Sequence, residues 1–154
     1  MEKGTFKKVG ESEERMFGPT RLLVCGYASS EQKEIQALVC ECLTKEIPLI
    51  FATKEDEKSE LGEILDSEPG KGKGISSDLK RAVIMSGLTE KELHLLLNSY
   101  RENGFPRQLW ATLTPVSEKW TLGQLLNELS AEAEAFRKNQ LKAMKEKNRQ
   151  VGEK

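Results

Sequence analysis

Residues 21–53, RLLVCGYASSEQKEIQALVCECLTKEIPLIFAT, decide the fold class. Arg21-Leu22-Leu23-Val24-Cys25 is a short continuous apolar run, the pattern of a strand buried on both faces. A helical segment follows, with Ser29-x-x-Gln32 spaced as a capping box and Ile35, Leu38, Val39 and Cys42 recurring at helical intervals. Pro48 punctuates, and Leu49 to Thr53 reads as a second strand. A second helix is expected next, acidic at Glu55, Asp56 and Glu57, where carboxylates suit the helix dipole, and apolar at Leu61, Ile64 and Leu65.

The same order returns further along. Ala82-Val83-Ile84-Met85 is a third strand, and Thr89-x-x-Glu92 caps a helix carrying Leu93, Leu96, Leu97 and Tyr100. After Pro106, Gln108 to Leu113 reads as a fourth strand, and Thr121-x-x-Gln124 opens a last helix through Leu122, Leu125, Leu126 and Leu129. Leu61-Gly62-Glu63-Ile64-Leu65 echoes Leu122-Gly123-Gln124-Leu125-Leu126 at an offset of 61, Pro48 echoes Pro106 at 58, and Ala52-Thr53 echoes Ala111-Thr112 at 59. The expectation is a duplicated βαβα unit with halves 21–67 and 80–136. It predicts an α/β three-layer sandwich of about four mostly parallel strands, doubly wound in the order 2-1-3-4. A ferredoxin-like α+β topology is the alternative. Residues 1–20 read as a flexible arm, 68–79 as a Gly/Ser/Lys hinge, and 137–154 as a basic helical tail on a single domain, 21–136.

Composition bounds the function. The chain has 154 residues, 37% hydrophobic and 32% charged, with net charge -1. That total hides a body of -6 over residues 1–136 and a tail of +5 over 137–154. No apolar run approaches the ~20 residues of a membrane helix, and Met1-Glu2-Lys3-Gly4 does not open a signal peptide. Three cysteines fit a reducing cytoplasm better than a disulfide framework.

Catalytic signatures are thin. Gly70-Lys71-Gly72-Lys73-Gly74 lacks the spacing and the preceding strand of a phosphate-binding loop. Cys40 and Cys42 stand two apart on a helix and diverge, so a zinc site with Cys25 and His94 is not expected. Ser86 lies outside any G-x-S-x-G elbow, and the strand ends lack the carboxylates of a flavodoxin-like phosphoacceptor domain. No catalytic residue, metal or cofactor is expected. Polar residues at the C-terminal strand ends remain as candidates, because open parallel sheets bind ligands at that edge. They are Ser86, Thr89, Thr112, Thr114 and Trp120, joined by Ser29, Ser30 and Thr53 if every strand points the same way.

The segment Trp110-Ala111-Thr112-Leu113-Thr114-Pro115, followed after four residues by Trp120-Thr121-Leu122, is the most distinctive in the chain. It resembles a small bacterial family, domain of unknown function 3783. That family carries A-x-x-T-P, a short gap, then a tryptophan opening a leucine-rich helix. Ala111, Thr114, Pro115, Trp120, Leu125, Leu126, Glu128 and Leu129 match, and the resemblance covers roughly residues 80–136. It implies a bacterial cytoplasmic protein and brings no activity with it.

The sequence therefore favours a non-enzymatic regulatory or protein-interaction module. A small-ligand or nucleotide-binding domain at the strand ends is the first alternative, and weak polyanion binding through the tail the second. Self-association or another protein is the expected partner. A nucleic-acid partner is disfavoured, because the tail has no aromatic residue after Phe136 to support its bases.

Overall fold

The expected strands form, the expected second helix divides into a 3-10 turn that holds its acidic residues and a five-residue helix, and the third strand runs opposite to its expected direction. The computed structural model describes residues 14–44 and 46–152, with side chains described through Lys145. The strands are β1 (Arg21–Cys25), β2 (Leu49–Phe51), β3 (Ala82–Ser86) and β4 (Leu109–Thr112); the helices are α1 (Ser29–Leu43), α2 (Leu61–Leu65), α3 (Glu90–Glu102) and α4 (Leu122–Gly152). They alternate along the chain, and the sheet has the order β2-β1-β3-β4. β1 pairs parallel with β2, and β3 parallel with β4. The central pair, β1 with β3, is antiparallel and centred on Leu23 opposite Ile84. The result is an α/β fold on a mixed four-stranded sheet, not the ferredoxin-like alternative.

The reversal follows from the path of the connection between α2 and β3. A 3-10 turn (Lys54–Lys58) and the five-residue α2 bring the chain back to the end where β1 starts, and Arg21 Nη1 donates there to the carbonyls of Leu65 and Ser67. A parallel β3 would begin at that end. Residues 68–78 instead climb back along the open edge of β2. Gly70 N–H donates to Leu49 O at 2.8 Å, Phe51 N–H donates to Lys71 O at 2.8 Å, and Ser77 N–H reaches Tyr27 O. The chain thus enters β3 from the far end. The segment expected to be a hinge is an edge cover, which satisfies backbone groups that an edge strand otherwise leaves open. Gly72 makes the approach possible: its φ is +79°, and a Cβ there would lie 2.0 Å from Phe51 O.

Alternate strand residues feed two apolar clusters. Leu22 and Val24 join Ile35, Leu38 and Val39 of α1 and Leu96 and Tyr100 of α3. Leu23 and Cys25 join Leu61, Ile64 and Leu65 of α2 and Leu122, Leu125 and Leu126 of α4. Each such large side chain, when fully buried, contributes about 1.5–3 kcal/mol of transfer free energy.

Corresponding contacts recur 61 positions apart. Ala52 N–H donates to Val24 O as Leu113 N–H does to Met85 O. Leu61 N–H donates to Trp120 O as Leu122 N–H does to Ser59 O. Gly62 packs on Glu118 as Gly123 packs on Glu57, and Glu60 bridges Thr121. By these contacts Ala52 corresponds to Leu113, and the sequence echo of Ala52-Thr53 with Ala111-Thr112 is displaced by two residues.

Of the expected arm, residues 1–13 lie outside the described residues, while 15–20 dock against β3. Met16 N–H donates to Leu88 O, and Gly87 N–H to Phe17 O. The last helix does run past Phe136, and every residue from Ala131 to Lys145 is exposed. Among the described residues no helix is long and apolar enough to cross a membrane.

Candidate functional site

Because β1 and β3 are antiparallel, the C-terminal strand ends lie at two opposite edges. Ser86, Thr89, Thr112, Thr114 and Trp120 share the β3/β4 edge; Ser29, Ser30 and Thr53 share the β1/β2 edge. The single gathering expected from parallel strands does not form.

At the β3/β4 edge the fold engages Thr89, Thr114 and Trp120, buries Ser86, and leaves Thr112 half-buried at the end of β4. Thr89 Oγ1 accepts from Glu92 N–H at 3.0 Å while Thr89 N–H donates to Glu92 Oε1 at 2.9 Å, the reciprocal cap expected there. Thr114 Oγ1 accepts from Ser117 N–H, and Thr114 N–H donates to Ser117 Oγ. Trp120 is half-buried against the cluster that contains Leu122 and Leu61. Ser86 is fully buried, its Oγ without a hydrogen-bond partner and so close to Gly18 that a Cβ there would lie 2.3 Å away. Arg15 Nη1 donates to Gly87 O at 3.0 Å and Thr20 Oγ1 to the same carbonyl at 3.0 Å. Residues 15–20 therefore cover this edge.

The β1/β2 edge holds a denser polar constellation, little of it expected. Arg81 stands at the entry to β3, and its guanidinium lies 3.9 Å from the centroid of the Tyr27 ring, a cation–π distance. Its Nη1 meets both carboxylate oxygens of Glu31 at 3.0 Å, and its Nε donates to Tyr100 Oη at 3.4 Å. Tyr27 Oη donates to Gln108 Oε1 at 2.6 Å, and Tyr100 Oη to Pro106 O. Burial pushes the Tyr27 phenol well above its ordinary range, with Tyr100 adding to the shift. The Ala28 N–H, followed by Arg81, holds Glu31 below the ordinary carboxylate value. Burial opposes the Arg81 charge, but Tyr100, Tyr27 and Glu31 together raise its pKa. A permanently charged guanidinium and a phenol that keeps its proton make a clamp, not an acid–base pair. It joins the α1 N-terminus, β3 and the 106–108 loop.

Helix α1 is capped differently from the expected Ser29-x-x-Gln32 box. Ala28 is the cap residue, and its N–H donates to Glu31 Oε1 at 2.9 Å. Gln32 turns to the edge-covering segment: its Nε2 donates to Ile75 O, and its Oε1 accepts from Gly74 N–H at 2.7 Å. Ser29 N–H donates to Ser76 Oγ, so the serine in that segment serves the helix.

Asp56 is the buried polar group that sequence reasoning passed over. Its Oδ2 accepts from Thr53 N–H at 2.9 Å, and Lys71 Nζ lies 3.3 Å from its Oδ1. It does for the first half what Ser117 does for the second, and the 61-residue offset was the signal. His94 is exposed, Cys25 is buried and Cys40 is exposed. Among the described residues no three His, Cys, Asp or Glu side chains form a metal-holding group.

The segment Arg81 to Phe136 carries Arg81, Tyr100 and Gln108 of the clamp and all five expected β3/β4 residues. Residues 81–136 match the family model of a domain of unknown function (DUF3783). The DUF3783 match runs from the start of β3 into the first half of α4. No curated protein and no solved structure matches the chain.

Proposed function

We propose that this chain acts as a cytoplasmic, non-enzymatic regulatory or protein-interaction module. The observation that carries the reading is α4. Its first turns complete the core, and the rest of its described length projects exposed, carrying Phe136, Leu141 and Met144 into solvent. A helix that leaves the body with apolar side chains outward is a docking element. The engaged state of Thr89 and Thr114, and the cover of residues 15–20 over their edge, support the same reading. The 61-residue recurrence of contacts supports descent from a duplicated βαβα unit, and the two clusters support a three-layer arrangement. Bacterial origin rests on the family resemblance alone.

A small-ligand reading has one observation in its favour. A groove of about 720 Å³ runs between α1, β2 and the edge-covering segment, lined by Lys33, Gln36, Cys40, Ile47, Phe51 and Lys73. Lys33 and Lys73, with Glu46 at the same groove, stand over an apolar floor and suit a small charged molecule with an apolar body. A thermal-shift screen with nucleotides and phosphosugars separates the two readings. The module reading expects no saturable shift; a saturable shift lost on Lys33→Ala or Lys73→Ala would overturn it in favour of the groove.

A further inference from the structure

We infer that the outer edge of β4 docks a second copy of this chain, β4 against β4 in antiparallel, so that one sheet runs through both copies. This surface is separate from the exposed length of α4 and goes beyond the reading above.

The two halves of the fold differ at their edges. Leu22 N–H donates to Pro48 O and Ala52 N–H to Val24 O, so β2 turns alternate backbone groups towards β1 and those of Leu49 and Phe51 outward. In the second half Leu109 N–H donates to Arg81 O and Leu113 N–H to Met85 O, which turns the backbone of Trp110 and Thr112 outward. These are the positions 61 residues on from Leu49 and Phe51. Residues 68–78 satisfy the first pair, through Gly70 N–H to Leu49 O and Phe51 N–H to Lys71 O. The counterparts of that segment, residues 129–139, are held in α4 and do not return along β4. Among the described residues no backbone group bonds the outward side of Trp110 or Thr112, and β4 is the last strand of the sheet. One edge of this fold is thus completed by extended backbone, and the other is left for a strand from outside.

The open row is complementary to itself. Trp110 and Thr112 flank Ala111, so a two-fold axis at Ala111 sets Trp110 of each copy opposite Thr112 of the other, the arrangement of a closed dimer. Each such pair exchanges both of its N–H to carbonyl bonds, and it lays an indole beside a β-branched side chain on one face of the sheet, a favourable cross-strand pair. Ala111 takes the position on the axis where the two backbones approach most closely and only a methyl has to fit. Nothing in β4 opposes a second strand: Leu109-Trp110-Ala111-Thr112 has no charge and no proline, and its register on β3 runs without a bulge. Antiparallel pairing also brings the loop after β4 beside the loop before β4 of the other copy. Val116, 67% exposed, then gains an apolar neighbour in exposed Pro106.

Amide exchange of the full chain, read residue by residue by NMR at low and high protein concentration, tests this. The amides of Trp110 and Thr112 have no partner in a single copy, and their protection should rise at least ~10-fold at the higher concentration. Sedimentation equilibrium should show the mass rising from 17.3 kDa towards twice that value over the same range. Thr112→Pro removes an outward donor without removing a bond of the single copy, and should weaken pairing at least ~10-fold, read at Trp110. Thr112→Asp keeps the amide and sets a carboxylate beside the indole of the other copy; it should weaken pairing as much and carries the test if the proline variant fails to fold. Phe136→Ser/Met144→Ser, confined to α4, should leave the protection of Trp110 and Thr112 as it is in the unaltered chain. Amides of Trp110 and Thr112 that exchange equally fast at both concentrations, or a protection that Thr112→Asp leaves intact, overturn the inference. Concentration-dependent protection confined to residues 133–145 overturns it as well and leaves the module reading standing.

Discussion

Replacing Gly72 by alanine is the sharpest test of how this sheet acquires its antiparallel centre. Two costs coincide at that residue. A φ of +79° costs a non-glycine residue about 1–2 kcal/mol. The new Cβ would also lie 2.0 Å from Phe51 O, and that atom belongs to backbone that cannot swing aside. The segment must then lift from β2. Lifting loses Gly70 N–H to Leu49 O and Phe51 N–H to Lys71 O, each contributing about 0.5–1.5 kcal/mol net. Gly72→Ala should therefore destabilise by about 2–5 kcal/mol. Gly74 is the internal control: its φ is +85°, but nothing lies within 4 Å of the Cβ position, so Gly74→Ala should cost only the conformational ~1–2 kcal/mol. Urea unfolding of both variants gives the difference directly, and tryptic cleavage after Lys71 and Lys73 should accelerate in Gly72→Ala alone. Equal destabilisation in the two variants would refute the packing of residues 68–78 on β2, and with it the route by which β3 is reversed.

Three further outcomes follow from the polar contacts. Arg81→Gln should cost about 1–2 kcal/mol at neutral pH, a modest value because the Glu31 carboxylate is partly solvated. Glu31 is held below its ordinary value in the folded state, so its contribution is full above the ordinary 4.5 and is lost as pH falls through the lowered value; the difference between wild type and Arg81→Gln should narrow in acid denaturation profiles below that point. Asp56→Ala strands the part-buried Thr53 N–H and should cost about 1–3 kcal/mol by chemical denaturation, whereas Asp56→Ser should recover part of this, since Ser117 makes the equivalent bond to Thr114 at 3.0 Å. A thiol reagent should label exposed Cys40 first and Cys42, raised by burial, more slowly. It should reach Cys25, buried and pushed far upward by desolvation with Asp56 adding, only on unfolding; mass spectrometry of peptides checks the order.

Much of the fold was legible because its signals are local. The apolar runs at Leu22 to Cys25 and Ala82 to Met85 and the caps at Thr89 and Thr121 each depend on a few neighbouring residues, and all formed. The direction of β3 depends on a long-range event. Residues 68–78 carry glycines and lysines that read as a flexible connector, and only the approach of Gly72 to Phe51 O shows why glycine is required. The same gap explains the site. Arg81 and Tyr27 meet because the covering segment delivers β3 to the β1/β2 edge, a distance no spacing rule spans. Gln32 left its expected cap for the same reason: the covering segment offered it Ile75 O and Gly74 N–H. Asp56 was hidden by its neighbours, since Glu55 and Glu57 made it look like one more carboxylate in an acidic first turn.

Amide hydrogen exchange along α4 at two protein concentrations tests most directly whether the proposed interaction module docks on its own kind. Protection of residues 133–145 should be slight in dilute solution, where that segment is an exposed single helix, and should rise with concentration while α1 and α3 stay unchanged. Identical exchange of 133–145 at both concentrations, with no protection at the higher one, would contradict self-association through the exposed stripe of α4.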